Sequence, residues 1–214
     1  MQGQWAGDGF LVQNNVWNVK EAGPQRIDVW SPHRWSVTAN HSRPDVRPGS
    51  IKSYACTRKD FTNRSIDSFT ELSSSWATDY PAVGEFNGAF DIWVGGVGSK
   101  CIAELMLWTN HRYNGPLPAS NATESVKVDI DSQGFTAWRR PLNAGDSRWY
   151  IALAMNPMQS AGAVDLLKVF HWLVSRGWLK GTDLVAAVEY GVELANTAGE
   201  ERTYFVDDYQ LHFR

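Results

Sequence analysis

Extended backbone sends alternate side chains to opposite faces, so the run Glu104-Leu105-Met106-Leu107-Trp108 puts two leucines on one face and an acid, a thioether and an indole on the other. The leucine face requires a core. The opposite face, with a carboxylate beside a sulfur and an aromatic ring, fits a sugar-binding cleft better than a solvated surface.

The rest of the chain reads as short strands of the same kind. Candidates are Phe10 to Asn14, Arg26 to Trp30, Ser50 to Ala55, Phe86 to Val94, Ile102 to Thr109, Ser125 to Ile130, Phe135 to Arg139, Arg148 to Met155, Leu184 to Leu194 and Thr203 to Phe213. Turn clusters such as Gly95-Gly96-Val97-Gly98, Asn114-Gly115-Pro116 and Asn143-Ala144-Gly145-Asp146 separate them. Strands at this spacing predict a sandwich or a barrel-like sheet pair. One segment differs: from Ala163 to Arg176, Val164, Leu167, Phe170, Leu173 and Val174 recur at helical spacing, with Ser160 as the expected cap and Gly177 as the stop. With no internal repeat or linker, residues 1–214 are expected to form one domain.

Composition narrows the function. Across 214 residues the formal net charge is -3 and the pI about 5.9, so no basic surplus points to nucleic acid. No apolar run approaches the roughly 20 residues a helix needs to span a bilayer, so no membrane partner is expected. The N-terminus lacks a basic segment followed by an apolar stretch. Cys56 and Cys101 are compatible with one bridge or with two buried thiols, and no Cys/His spacing suggests a metal site. The 11 Trp, 7 Tyr and 9 Phe have two uses. Aromatic rings pack sheets, and they also stack on the weakly apolar C–H faces of a pyranose.

A carboxylate on an aromatic strand face prompts a search for a second. Cleaving a glycosidic bond with retention takes two carboxyl groups roughly 5–5.5 Å apart, a nucleophile and a general acid/base. Glu193 shares a strand face with Glu189 and Gly191, and the missing side chain at Gly191 is expected to leave room for substrate beside it. Asp91, in Phe90-Asp91-Ile92-Trp93, is a third acid on an otherwise apolar strand, where burial demands a partner or a proton.

Taken in order, these motifs resemble glycoside hydrolase family 12, the compact endo-β-1,4-glucanases and xyloglucanases. The resemblance runs through Gln4-Trp5-Ala6, Gln13-Asn14-Asn15-Val16-Trp17, Ile51-Lys52-Ser53-Tyr54 and Ala89-Phe90-Asp91-Ile92-Trp93. It continues through Glu104 to Trp108, Gly115-Pro116-Leu117-Pro118 and Glu189-Tyr190-Gly191-Val192-Glu193. It implies an all-β jelly roll of two packed, curved antiparallel sheets forming an open cleft, with one amphipathic α-helix on the outer face. It also implies a secreted monomer acting on a β-glucan polysaccharide, cellulose or mixed-linkage glucan or xyloglucan, without cofactor or metal.

Carried over by residue, the resemblance makes Glu104 the nucleophile, Glu193 the acid/base and Asp91 a hydrogen-bond partner of the nucleophile. Met106 would pack beneath the sugar, Trp17 would stack on a glucose on the non-reducing side of the cut, and Asn15 would hydrogen-bond nearby. Pro116 belongs to the loop that crosses one edge of the cleft. Tyr54 is expected to bind substrate. Trp5, Trp93, Trp108 and Trp138 are each either packing residues or sugar platforms, and Asn143 either holds its turn or reaches the cleft. Glu189 stands where the family commonly has Gln, with a raised pKa at Glu193, a structural role or a hydrogen bond to a substrate hydroxyl as the alternatives. The segment from Ser31 to Gly49 departs from the family pattern and is the expected place for substrate preference.

Overall fold

The computed structural model describes residues 3–41, 50–112 and 122–214. In chain order the described elements are β1 (Gln4–Gly7), β2 (Phe10–Gln13), β3 (Gln25–Ser31), β4 (Arg34–Ala39), β5 (Ser53–Asp60), β6 (Leu72–Asp79), β7 (Glu85–Val94) and β8 (Ala103–Arg112). They continue with β9 (Glu124–Ile130), β10 (Gln133–Pro141), β11 (Trp149–Asn156), β12 (Ala161–Asp165), α1 (Leu166–Ser175), β13 (Val185–Asn196) and β14 (Arg202–Phe213). A nine-stranded sheet runs β1-β2-β5-β13-β7-β8-β11-β10-β9, and a five-stranded sheet runs β12-β6-β14-β4-β3. Pairing is antiparallel except between β8 and β11.

Alternation decides which side chains meet between the sheets. Phe90 and Ile92 of β7, Leu105 and Leu107 of β8, and Val188, Tyr190 and Val192 of β13 enter one buried cluster with Trp35, Val37, Trp76 and Tyr209 of the five-stranded sheet. Tyr190 stacks on Tyr209 at 5.4 Å and Trp76 meets Phe90 edge-on at 5.8 Å, so aromatic pairs join the two layers. This leaves Asn87, Ala89, Asp91 and Trp93 of β7, and Glu189, Gly191 and Glu193 of β13, on the opposite face.

Several elements differ from the sequence reading. β1, β4, β6 and β12 were not expected, and β5 runs to Asp60 rather than ending at Ala55. Within the atypical stretch from Ser31, Arg34–Ala39 is a core strand with Trp35 and Val37 fully buried. That strand belongs to the five-stranded sheet, away from the predicted cleft, and residues 42–49 of the same stretch lie outside the described residues. The helix starts later than its periodicity suggests, because β6 captures Ala161–Asp165 as an antiparallel partner. Asp165, not Ser160, is the cap, accepting the Lys168 backbone N–H at 2.9 Å. Gly177, at φ +68°, ends it as predicted, with its N–H on the Val174 carbonyl. The helix packs over β6 and β9 and buries Leu166, Val169, Phe170 and Leu173.

Candidate active site

The outer face of the nine-stranded sheet holds an open cavity of about 410 Å³. Four carboxylic acids line it: Asp91 from β7, Glu104 from β8, and Glu189 and Glu193 from β13. Strand register arranges them. Asp91 pairs with Glu189 on one side and with Met106 on the other, which puts Glu104 two pairs further along β8, opposite Trp93. Glu193 pairs with Asn87, whose Nδ2 donates to Glu193 Oε2 at 2.6 Å.

Burial and mutual charge raise these acids. Burial pushes Glu193 up to about 7, with a further push from Glu104, while the Asn87 hydrogen bond opposes both. Glu104 is raised by burial and pulled back by the Arg140 cation. Asp91 is pushed well above the usual carboxylate range by burial and then by the charges of Glu104, Glu189 and Glu193. Glu189 reaches about 7 through burial, against the opposing charge of Arg58. The rise at Glu193 therefore comes from burial and Glu104, not from Glu189 as one sequence alternative had it.

Asp91 feels the charge of Glu104, and among the described residues its Oδ1 is buried without a hydrogen-bond partner. Register explains this, since Asp91 faces Met106 directly and Glu104 only diagonally. Nor does Gly191 make room for substrate. A Cβ there would lie 2.0 Å from the Ala55 carbonyl oxygen, so the glycine admits the β5 backbone.

Other predicted residues divide by face. Trp17, 54% exposed, and Asn15 line the cavity, as do Tyr54 and Trp93. The Tyr54 hydroxyl, however, is committed to the Ala89 carbonyl at 3.0 Å, so Tyr54 serves as wall rather than donor. Met106 is buried with Ala89 and Trp108 on the cleft side, with Tyr150 against them. Trp138 lies buried on that same side two strands beyond Glu104, against the Tyr150 ring at 5.3 Å. Trp5 does not reach the cavity. It pairs with Val12 and packs on the core between the sheets. Asn143 holds its turn through Asp146 Oδ2 at 3.3 Å. Pro116 lies outside the described residues. Cys56 and Cys101 are free and buried.

Three contributors escaped the sequence reading. Asn87 sits two residues before Ala89 and four before Asp91, so strict alternation places it on the cleft face. Arg58, which lines the cavity and contacts Glu189 Oε1 at 3.2 Å, was missed because its strand was ended at Ala55. Arg140 lies over the Tyr150 ring at 4.7 Å, and Tyr150 in turn pairs with Glu104.

Comparison with known proteins places relatives along nearly the full length of the chain. No protein-family model matches the chain. It is 26% identical over 221 residues to a xyloglucan-specific endo-beta-1,4-glucanase A of Emericella nidulans, covering 98% of this chain and 89% of that protein. Among solved structures, the xyloglucanase domain of NopAA from Sinorhizobium fredii, in complex with cellobiose, aligns at TM-score 0.85 and 26% identity over 100% of this chain and 98% of its own. The chain thus resembles glycoside hydrolase family 12 in sequence and in fold. A further family 12 structure, endoglucanase 3 of Trichoderma harzianum, shares the fold at TM-score 0.82 and 17% identity, over 100% and 95% of the two chains. The two packed sheets and the outlying helix are thus the family 12 jelly roll.

The same carboxyls set a pH dependence of stability. Glu189 and Glu193 keep their protons in the folded chain to about pH 7 but lose them near 4.5 when unfolded. The folded state binds the extra protons between those values, so these groups stabilise at low pH and lose that contribution as pH rises through 7. His41, held neutral by burial down to about 4, acts in the opposite sense, losing its contribution as pH falls below 6.5. Above pH 6.5 the carboxyls alone of this set titrate. Thermal unfolding should therefore show a Tm that falls from pH 6.5 to 8, with Glu193→Gln flattening the slope and gaining up to about 2 kcal/mol at pH 8. A wild-type Tm that rises over this range would contradict the assignment.

Proposed function

We propose that this hydrolase is a retaining endo-β-1,4-glucanase, with residues 1–214 forming one catalytic domain. The observation that carries the mechanism is that Glu104 and Glu193, from strands separated by β7, open onto one cavity and act on each other electrostatically. Arg140 favours the ionised form of Glu104, as a nucleophile requires. Among the described residues no cation offsets the burial of Glu193, as a proton donor requires. Glu104 attacks the anomeric carbon while Glu193 protonates the leaving oxygen; Glu193 then takes a proton from water, which releases the sugar from Glu104. Trp17 offers an exposed ring for stacking one glucose, and the open groove lets a chain bind at its middle. The test is ¹H NMR of the first product formed from a soluble β-glucan. New reducing ends with the β configuration and a steep fall in viscosity are expected; α products would exclude the mechanism.

Xyloglucan is the favoured polymer within this class. The two relatives at 26% identity are described as a xyloglucan-specific endoglucanase and a xyloglucanase domain. Initial rates on xyloglucan, mixed-linkage glucan and carboxymethyl-cellulose would rank the polymers. Secretion and a monomeric state belong to the same proposal and rest on the family resemblance.

Arg140 gives the mechanism a pH signature. Its loss should raise the Glu104 pKa, because an opposite charge favours ionisation. Arg140→Met is expected to move the acid limb of kcat/KM upward by about half a unit or more and to leave the alkaline limb in place. An unmoved acid limb would detach Arg140 from Glu104.

A further inference from the structure

Glu193 is held by a side chain that is itself only half held. Asn87 is fully buried on β7 and its Nδ2 donates to Glu193 Oε2 at 2.6 Å, yet among the described residues its Oδ1 is buried without a hydrogen-bond partner. The two ends of an amide are nearly the same size, so packing alone does not fix which of them faces the acid. Chemically the two orientations differ. With the NH2 on Oε2, that oxygen is an acceptor and the carboxylic proton must sit on Oε1, free for transfer. With the carbonyl there instead, Oε2 has to carry the proton, and the acid spends it on Asn87.

One strand over, a second buried atom lacks a partner. His111 on β8 is the direct register partner of Asn87, and residues paired across two strands point to the same face. A β-bulge makes this possible. Thr109 is the extra residue between the Gly88–Asn110 and Ala89–Trp108 pairs, and its hydroxyl turns to the Gly88 carbonyl and the Tyr190 hydroxyl on the core side. Without the bulge, alternation would send residue 111 to the core; with it, His111 returns to the cleft side with Trp108. Its Nδ1 is buried without a partner among the described residues, and burial lowers the ring's pKa, so a neutral ring carries one hydrogen. A lone acceptor and a ring nitrogen able to donate thus stand opposite each other, each costly while unpaired.

We propose that His111 is a positioning residue for Glu193: its Nδ1–H, directly or through one water, holds Asn87 Oδ1 and keeps the Asn87 NH2 turned to Glu193 Oε2. The reading rests on the acid/base role of Glu193 proposed above. It requires the Nδ1–H tautomer, since the Nε2–H form aims a lone pair at Oδ1 and favours the reversed amide. His111 itself touches no reacting atom.

Two resonances test this. Long-range ¹H–¹⁵N correlation in histidine-labelled protein reads each ring's tautomer, with His111→Phe giving the assignment; Nδ1–H is expected for His111 at pH 7. The carboxyl ¹³C of Glu193, assigned through Glu193→Gln, reads its midpoint, expected at about 7 in the wild type. His111→Phe keeps a ring but no donor. The amide is released, part of the hydrogen bond that lowers Glu193 is lost, and its midpoint should rise by about half a unit or more. On β-glucan kcat should fall several-fold with KM unchanged. His111→Gln, whose amide N–H can donate, should restore most of both. Glu104 on β8, Asp91 on β7, Tyr54 on β5 and Tyr150 on β11, the titratable groups that face Glu193, are unaltered in these variants. An Nε2–H tautomer in the wild type would overturn the proposal, and that measurement stands even where His111→Phe does not fold. So would an unmoved Glu193 midpoint in folded His111→Phe, equal shifts in the Phe and Gln variants, or a change in KM alone. Neither resonance needs turnover, so inactivity on β-glucan would refute the proposed function and leave this assignment measurable.

Discussion

Replacing Glu104 with Gln should lower turnover of β-glucan by about 10⁴-fold or more, roughly 5 kcal/mol in the barrier, because an amide cannot form the covalent glycosyl intermediate. The fold should survive. Glu104 sits in a half-buried position where its charge raises Asp91 and Glu193, so a neutral isostere of the same length relieves repulsion instead of creating it. Tm at pH 7 is therefore expected to hold or rise, which separates a chemical loss from an unfolded protein. Chemical trapping gives a second measurement. A 2-deoxy-2-fluoro cellobioside with a dinitrophenyl leaving group should label the wild type once, and peptide mass spectrometry should find the sugar ester on Glu104. An ester on Glu189 or Asp91, or a Glu104→Gln variant with near wild-type activity, would move the nucleophile elsewhere.

The residues that answered to sequence alone are those for which the strand period and the chemistry agree. In β8, two leucines and an alternating Glu, Met and Trp left one assignment of faces, and Leu105 and Leu107 are in the core while Glu104 lines the cavity. Glu189 and Glu193 followed from the same period in β13. What escaped depended on neighbours that one strand cannot show. Gly191 is a glycine because the β5 backbone passes within contact, and that strand's register cannot be read from β13. Trp5 was one aromatic among many, and only its pairing with Val12 assigns it to the core side. Arg58 lay beyond the point where apolar alternation fades, although its pairing continues to Asp60. The helix start was displaced by a pairing between β12 and β6, since three residues read as helical, Ala163, Val164 and Asp165, also suited a sheet edge.

The four acids are sorted by their cations. Arg140 serves Glu104 through the Tyr150 row, and Arg58 serves Glu189 directly, whereas among the described residues no cation serves Asp91 or Glu193. Burial alone would have raised all four together and given no division of labour. Two guanidinium groups, neither singled out by its sequence motif, oppose the effect of burial at Glu104 and at Glu189. Glu193 is the expected proton donor, because Asp91 sits directly beside the nucleophile's strand.

The second large effect follows from that division. Glu193→Gln should lose about 10³- to 10⁴-fold on a glucan, whose departing sugar oxygen needs a proton. It should lose far less in the first step with a dinitrophenyl cellobioside, whose leaving group departs unprotonated. With no base to activate water, the glycosyl enzyme should then accumulate, visible as a burst followed by slow turnover. Azide, which attacks without general-base help, should restore turnover and yield a β-glycosyl azide. The alkaline limb of the wild-type profile is expected near pH 7, the value to which burial raises Glu193, and it should vanish in this variant. Glu189 is held near the same value, so the variant discriminates between the two. An alkaline limb that persists in Glu193→Gln, together with equal losses on both substrates and no response to azide, would take the acid/base role from Glu193 and point to Glu189 in its place.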